Sequence, residues 1–188
     1  TPENLAREND AGPMELLINS HGQDNNIDQC LFMNEQEKRV SFLNSQTINQ
    51  VLDAKPYYLD CWTCLNGFGM ADNLTTPALK GRCVGAFTAT AVISNNGVNC
   101  DASVSQMEKS NFYYFYYQYL KALHEGGSRS QAFFAAQRAY GQALIRDSAS
   151  VVRGDGNYQF NLYNLLAYHN FGVLEPNAAG SLYTAKGS

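Results

Sequence analysis

The sequence lacks several features that would place it in a specialised class of protein. No run of about 18 apolar residues occurs, so we expect no membrane-spanning helix. Basic residues are not in excess, because 13 Lys and Arg stand against 17 Asp and Glu for a net charge of −4. Since nucleic-acid binding depends on clustered cations, this balance argues against a nucleic-acid partner. The first residues carry acids and no apolar segment, and we expect no signal peptide in this sequence.

What is present favours a folded domain. The apolar fraction is 45 % and the aromatic fraction is 12 %, which is enough for a hydrophobic core and too much for global disorder. A chain of 188 residues usually forms one domain. We assign residues 1–13 to a polar N-terminal arm or linker, 14–175 to the folded domain and 176–188 to a C-terminal tail.

The pattern of apolar residues predicts strands that alternate with helices. Short apolar runs bounded by turn residues predict strands at 14–19, 57–63 and 84–94. Helical spacing predicts helices at 45–55, 105–124 and 128–147, and a last short helix or strand lies within 162–174. This alternation predicts an α/β fold with a mainly parallel sheet between helices.

The five cysteines do not settle the redox compartment, since an odd number leaves one unpaired if the others form disulfides. Cys61 and Cys64 have CxxC spacing. We do not expect a zinc site, because no second CxxC or HxxxH motif follows at a suitable distance. We also do not expect a thioredoxin-like redox site, because this CxxC ends an apolar run and does not open a helix.

Candidate catalytic residues follow two of the predicted strands. In parallel sheets the chemistry lies at the carboxyl ends of strands. His21 follows strand 14–19, and Cys61 and Cys64 lie at the end of strand 57–63. A thiol attacks carbonyl carbon well when an imidazole takes its proton, and a backbone N–H can hold the oxyanion. The placement predicts a Cys–His dyad, although His21 could also be a turn residue and either cysteine a buried apolar one.

The order of these motifs resembles the caspase-like (clan CD) cysteine peptidases over residues 14–175. Residues 14–22 look like the family's apolar strand that ends in His-Gly. Residues 57–67 look like its second strand, and their ending Cys-Leu-Asn-Gly is most similar to the gingipain and clostripain branches. Residues 85–94 are similar to the following strand of gingipain-like and CHAT-type members, and 115–139 resemble their final helix pair.

The resemblance implies a three-layer caspase-like fold and a cysteine endopeptidase that needs no cofactor. In such an enzyme His21 assists proton transfer, the cysteine forms a thioester with a protein or peptide substrate, and water releases the product. Cys64 is the preferred nucleophile, because Gly67 follows it and because it gives a seven-residue strand after Pro56. Cys61 stays open as the alternative, since Cys61-Trp62-Thr63 resembles the Cys-x-Thr of CHAT-type members.

Aspartates at two places in the sequence are candidates for binding, Asp60 for substrate and Asp24 with Asp28 for calcium. In basic-specific members an Asp near the nucleophile helps to form the pocket for Lys or Arg, so Asp60 and the neighbouring Trp62 are the candidates for substrate binding. Asp60 could instead be a satisfied polar group inside the sheet. Asp24 and Asp28 could bind calcium, but their spacing does not match an EF-hand, and we favour a solvated loop.

The chain also departs from the family pattern. The family's sheet has strands before the His-Gly strand, and only 13 residues precede that strand here. We therefore expect the N-terminal strands to be missing, and a second chain or processed segment to complete the sheet. The open edge motivates an alternative, a non-catalytic caspase-like module that assembles with a partner chain. A transpeptidase or amidase with the same dyad is a third hypothesis. Resemblance to secreted branches favours an extracellular or cell-envelope location.

Overall fold

The computed structural model describes residues 1–19, 31–33, 39–41, 43–64, 67, 73–90, 112–146 and 165–172. The helices of four or more residues are α1 Pro2–Ala11, α2 Ile48–Val51, α3 Thr75–Lys80, α4 Phe112–His124 and α5 Arg129–Arg146. The strands are β1 Met14–Asn19, β2 Leu31–Met33, β3 Arg39–Ser41, β4 Tyr57–Trp62, β5 Cys83–Ala89 and β6 Tyr168–Gly172.

A four-stranded sheet with the order β1-β4-β5-β6 organises the larger part of these residues. Strands β1, β4 and β5 run parallel, and β6 pairs antiparallel with β5. The predicted α/β fold with an open, mostly parallel sheet is confirmed. The predicted strand at 84–94 ends at Ala89, and its last residues, 91–94, lie outside the described part. Strands β2 and β3 form a separate antiparallel pair.

One face of the sheet carries a hydrophobic core. Successive side chains of a strand point to opposite faces, so alternate residues of β1 and β4 meet on this face. An irregularity in the pairing of β4 with β5 brings Cys83 and Ala86 to the same face. They pack with apolar side chains from α2, α3 and the segments beside them. The buried members are Leu16, Ile18, Leu43, Ile48, Leu52, Tyr57, Leu59, Cys61, Leu74, Ala78, Cys83 and Ala86. All six residues of β4 are buried, as expected of a strand with neighbours on both sides.

The composition of residues 1–13 suggests a polar arm or linker, but residues 2–11 form helix α1. Thr1 is its N-cap and accepts a hydrogen bond from the backbone N–H of Asn4. The helix is fastened through Asn9, which is fully buried. The Asn9 side chain donates to the carbonyl of Lys55 at 3.0 Å and accepts from the N–H groups of Ala54 and Lys55.

The same contact accounts for the last residues of the predicted helix at 45–55, which lie outside helix α2. The N–H groups of Ala54 and Lys55 bond to the Asn9 side chain, so these residues do not continue the helical pattern. Pro56 disfavours the helical conformation in the residue before it. The helix covers only Ile48–Val51, and Leu52 follows with φ −121° and ψ 59°.

Helices α4 and α5 form an antiparallel pair joined by a glycine turn. The predicted helices at 105–124 and 128–147 are confirmed from residue 112 onward, since 105–111 lie outside the described residues. Gly126 has φ 89°, a conformation that glycine adopts without strain. The Phe115 ring contacts the rings of Phe133 and Tyr140 at 6.0 and 5.8 Å between centroids. Aromatic packing therefore joins the two helices.

The chain divides into two compact units, where the sequence predicts one partial domain over 14–175. The first unit takes residues 1–92 and 168–173, and the second takes 93–167 and 174–188. The predicted helix or strand within 162–174 contains β6, which pairs with β5 in the sheet of the first unit.

Candidate active site

The register between β1 and β4 fixes where both strands end. The two strands are parallel, and Asn19 is aligned with Trp62 as the last residue of each. Both strands therefore end at the same edge of the sheet, its carboxyl end. His21 follows Asn19 by two positions, and Cys64 follows Trp62 by two. His21 and Gly22 lie outside the described residues, so the structure gives the end of β1 and not the imidazole itself.

The two cysteines of the CxxC pair lie in different environments. Cys61 is an interior residue of β4, is fully buried and belongs to the hydrophobic core. Cys64 lies in the turn beyond the strand and is partly exposed. A nucleophile has to reach a carbonyl carbon of the substrate, so access favours Cys64. Cys30 and Cys100 lie outside the described residues.

The segment that begins at Cys64 returns to the sheet at Gly67. The Gly67 N–H donates to the carbonyl of Ala89 at 2.7 Å, at the end of β5. A Cβ atom at this position would lie 2.5 Å from Cγ2 of Thr90 and 2.9 Å from the carbonyl of Ala89. Only glycine allows so close an approach. Cys64 thus follows the end of β4, and Gly67 lies against the end of β5. Leu65 and Asn66 lie outside the described residues.

The residues predicted to bind substrate lie inside the sheet. Asp60 and Trp62 share the face opposite to Cys61, and their exposed fractions are 0 % and 1 %. The Trp62 ring contacts Phe87 and Tyr168 at 4.5 and 4.8 Å between centroids. This burial favours the alternative in which Asp60 is an interior polar group. A P1 pocket needs a surface that a substrate side chain can enter.

The third described cysteine, Cys83, is buried and has a raised thiol pKa. Burial raises its pKa to about 12, and its Sγ donates to the carbonyl of Gly85 at 3.1 Å. Burial, and then the charge of a Cys83 thiolate, raise the pKa of the adjacent Tyr57. Because the thiolate is the nucleophilic form, Cys83 is inert near neutral pH.

The structure also shows two buried polar contacts that the sequence analysis did not predict, one of them between residues of the Cys-x-Thr motif. Sγ of Cys61 lies 3.1 Å from Oγ1 of Thr63, and the hydroxyl of Thr75 donates to that of Thr88 at 2.9 Å. All four side chains are fully buried. A usable signal was the Cys-x-Thr spacing, since residues two apart on a strand share a face.

Metal ligands are not gathered in the described residues, where no group of three His, Cys, Asp or Glu side chains could hold an ion. Asp24 and Asp28, considered for calcium, lie outside that part of the chain. Among the described helices, none combines the length and apolar character needed to cross a membrane.

Comparison with known proteins identified no relative of this chain. Searches of protein-family models, curated proteins and solved structures each returned no match. The resemblance to caspase-like peptidases therefore rests on the motifs of the sequence alone.

Proposed function

We propose that this chain is a caspase-like cysteine endopeptidase in which His21 and Cys64 form the catalytic dyad. The observation that carries the proposal is the alignment of Asn19 with Trp62 in neighbouring parallel strands. Adjacent strands are about 4.8 Å apart, so residues that follow them by the same number of positions start from neighbouring points. An imidazole and a thiol at such positions are a productive pair for acyl transfer.

The reaction proceeds in two stages. The His21 imidazole takes the proton of the Cys64 thiol, and Sγ attacks the carbonyl carbon of the scissile peptide bond. Backbone N–H donors hold the oxyanion that forms. The C–N bond then breaks, the amine leaves with the proton from the imidazolium, and a thioester remains on Cys64. A water molecule gives a proton to His21 and attacks the thioester, which releases the carboxylic acid and restores the thiol.

The choice of Cys64 over Cys61 follows from burial. Attack by Cys61 would require its thiol to leave a close-packed core of aliphatic side chains. Cys64 has already passed the end of β4 and is partly exposed. Gly67, bonded to the end of β5, holds the far end of the segment at the same edge.

Cleavage of an unfolded protein tests the proposal. The purified chain is incubated with casein, and new peptides are identified by mass spectrometry. We expect Cys64→Ala and His21→Ala to abolish cleavage and Cys61→Ser to retain it, with circular dichroism confirming that each variant is folded. Cleavage that survives in Cys64→Ala, or that is lost only in Cys61→Ser, would assign the nucleophile to another residue. Added amines that capture the acyl group would identify a transpeptidase.

A non-catalytic module is the second candidate, and the edge of the sheet favours it. Strand β1 is the outermost strand of the described sheet, and Leu17 on it is 42 % exposed. An apolar edge strand can pair with another chain. This candidate predicts no cleavage and no reactive thiol, together with a partner-dependent change in sedimentation that Leu17→Lys abolishes.

A further inference from the structure

A buried contact between a thiol and a hydroxyl lies immediately before Cys64. Sγ of Cys61 is 3.1 Å from Oγ1 of Thr63, and both residues are fully buried. Strand β4 ends at Trp62, so Thr63 is the residue at which the chain leaves the sheet. The contact therefore connects the first residue beyond the strand to a side chain inside the core.

The Cys61 side of this contact is held in place by packing in the core of the sheet. It packs in the hydrophobic core and is aligned with Thr88 of the neighbouring strand β5. The hydroxyl of Thr88 in turn accepts a hydrogen bond from Thr75, at the start of helix α3. Interiors packed at crystal-like density leave a side chain little freedom to follow its neighbour. A displacement of Thr63 would thus weaken its contact with Cys61, because the packing around Cys61 limits how far it can follow.

The other end of the segment is fixed to β5. The Gly67 N–H bonds to the carbonyl of Ala89 at 2.7 Å, and the space around Gly67 admits no side chain. Cys64 consequently lies in a short span between two attachments, with Thr63 beside it.

We infer that Cys61 and Thr63 are positioning residues for the thiol of Cys64, an inference that rests on the nucleophilic role proposed for Cys64. The first cysteine of the CxxC pair then takes no part in the chemistry. Its thiol fixes the direction in which the chain leaves β4. Rates of attack fall steeply when a nucleophile is displaced, because the reacting atoms must be close and aligned.

The rate of alkylation of Cys64 by iodoacetamide, followed by peptide mapping over the pH range in which thiols titrate, tests this inference. Cys61→Ala and Thr63→Val each remove one partner, whereas Cys61→Ser and Thr63→Ser keep a hydrogen-bonding group. We expect Cys61→Ala and Thr63→Val to lower the rate constant for alkylation of Cys64 about tenfold, which is the scale set by one hydrogen bond. Both variants should also shift the midpoint of the pH dependence of that rate. The serine variants should stay within about threefold of the parent protein.

Cys83 offers a matched control. It is also a buried cysteine of the sheet, and its thiol makes a hydrogen bond of the same length, 3.1 Å, to the carbonyl of Gly85. It begins β5, at the amino end of the sheet and away from Cys64. Cys83→Ala should lower stability and leave the alkylation rate of Cys64 unchanged.

Two results overturn the inference. The first is a folded Cys61→Ala or Thr63→Val protein with the parental rate and pH profile. The second is a Cys83→Ala protein that slows Cys64 to the same extent, which would indicate a general loss of stability. If Cys61→Ala does not fold, Thr63→Val against Thr63→Ser gives the comparison. A Cys64 that reacts as an ordinary thiol in the parent contradicts the proposed function, while the ratio between variants still decides the positioning role.

Discussion

Asn19 of β1 and Trp62 of β4 are the last aligned residues of two adjacent parallel strands. This alignment means that both strands end at the same edge of the sheet, its carboxyl edge. His21 and Cys64 stand at equal distances in sequence from that pair. The support for a Cys–His dyad comes from this register and from the environment of each cysteine, more than from the CxxC spacing.

Gly67→Ala should destabilise the protein and slow the reaction of Cys64. The added methyl group would lie within 2.9 Å of the Ala89 carbonyl and closer still to the Thr90 side chain. Since backbone cannot give way as a flexible side chain does, we expect a loss of about 1–3 kcal/mol in the free energy of unfolding, measured in urea.

Gly141→Ala in helix α5 is the control for that substitution. The nearest atom to its added Cβ is Cδ2 of Leu165, at 4.0 Å, which is ordinary contact. Alanine is the better helix former, so we expect a gain of about 0.5–1 kcal/mol. Equal stability of the two variants would show that Gly67 is not closely confined.

Asn9→Ala should release helix α1 from the segment before β4. It removes three hydrogen bonds and leaves the backbone groups of Ala54 and Lys55 without these partners. We expect a loss of about 1–3 kcal/mol in urea unfolding. Asn4→Ala, which removes only an exposed contact with Arg7, should change stability by less than about 0.5 kcal/mol. A variant at Asn9 as stable as the one at Asn4 would contradict the account of α1.

Stability should fall at alkaline pH because of Cys83. Its pKa in the folded protein is about 12, above the value of about 8.5 for a free thiol. The folded state therefore holds this proton more tightly than the unfolded state does. The stabilising effect is complete below the unfolded pKa and is lost as pH rises toward the folded one.

Urea unfolding between neutral and alkaline pH measures this effect. Cys83→Ala should flatten the decline, although Tyr57, whose pKa is also raised by burial, contributes part of it. An unchanged decline in Cys83→Ala would mean that the Cys83 thiol titrates normally.

Strands β1, β4 and β5 and helices α4 and α5 could be predicted from the sequence, because their apolar periodicity matches how they are buried. The short elements β2, β3 and α3 were not predicted. The pattern missed α1, whose residues are mostly polar and which attaches through one amide, that of Asn9. It overextended α2 for the same reason, since the contact with Asn9 joins residues about 45 positions apart in the chain and is invisible to local spacing.

The strand ends beside the candidate site could be predicted from the sequence, while the dyad of His21 and Cys64 stays a prediction. Strands β1 and β4 pair in parallel and end together at Asn19 and Trp62. The sequence favoured Cys64 as the nucleophile and left Cys61 open, because it does not show which of the two thiols is buried. Pairing with β1 sets the end of β4 at Trp62, and packing on the two faces of the sheet buries Cys61, Asp60 and Trp62.

Competitive labelling of the native thiols tests the central claim most directly. The folded protein is exposed briefly to substoichiometric iodoacetamide near neutral pH, and all five cysteines are quantified by peptide mapping. We predict that Cys64 is labelled well ahead of Cys61 and Cys83, and that His21→Ala removes its advantage at neutral pH. If Cys61 is labelled first, or if no thiol reacts ahead of the urea-denatured protein, Cys64 is not an activated nucleophile and the proposed peptidase mechanism is wrong.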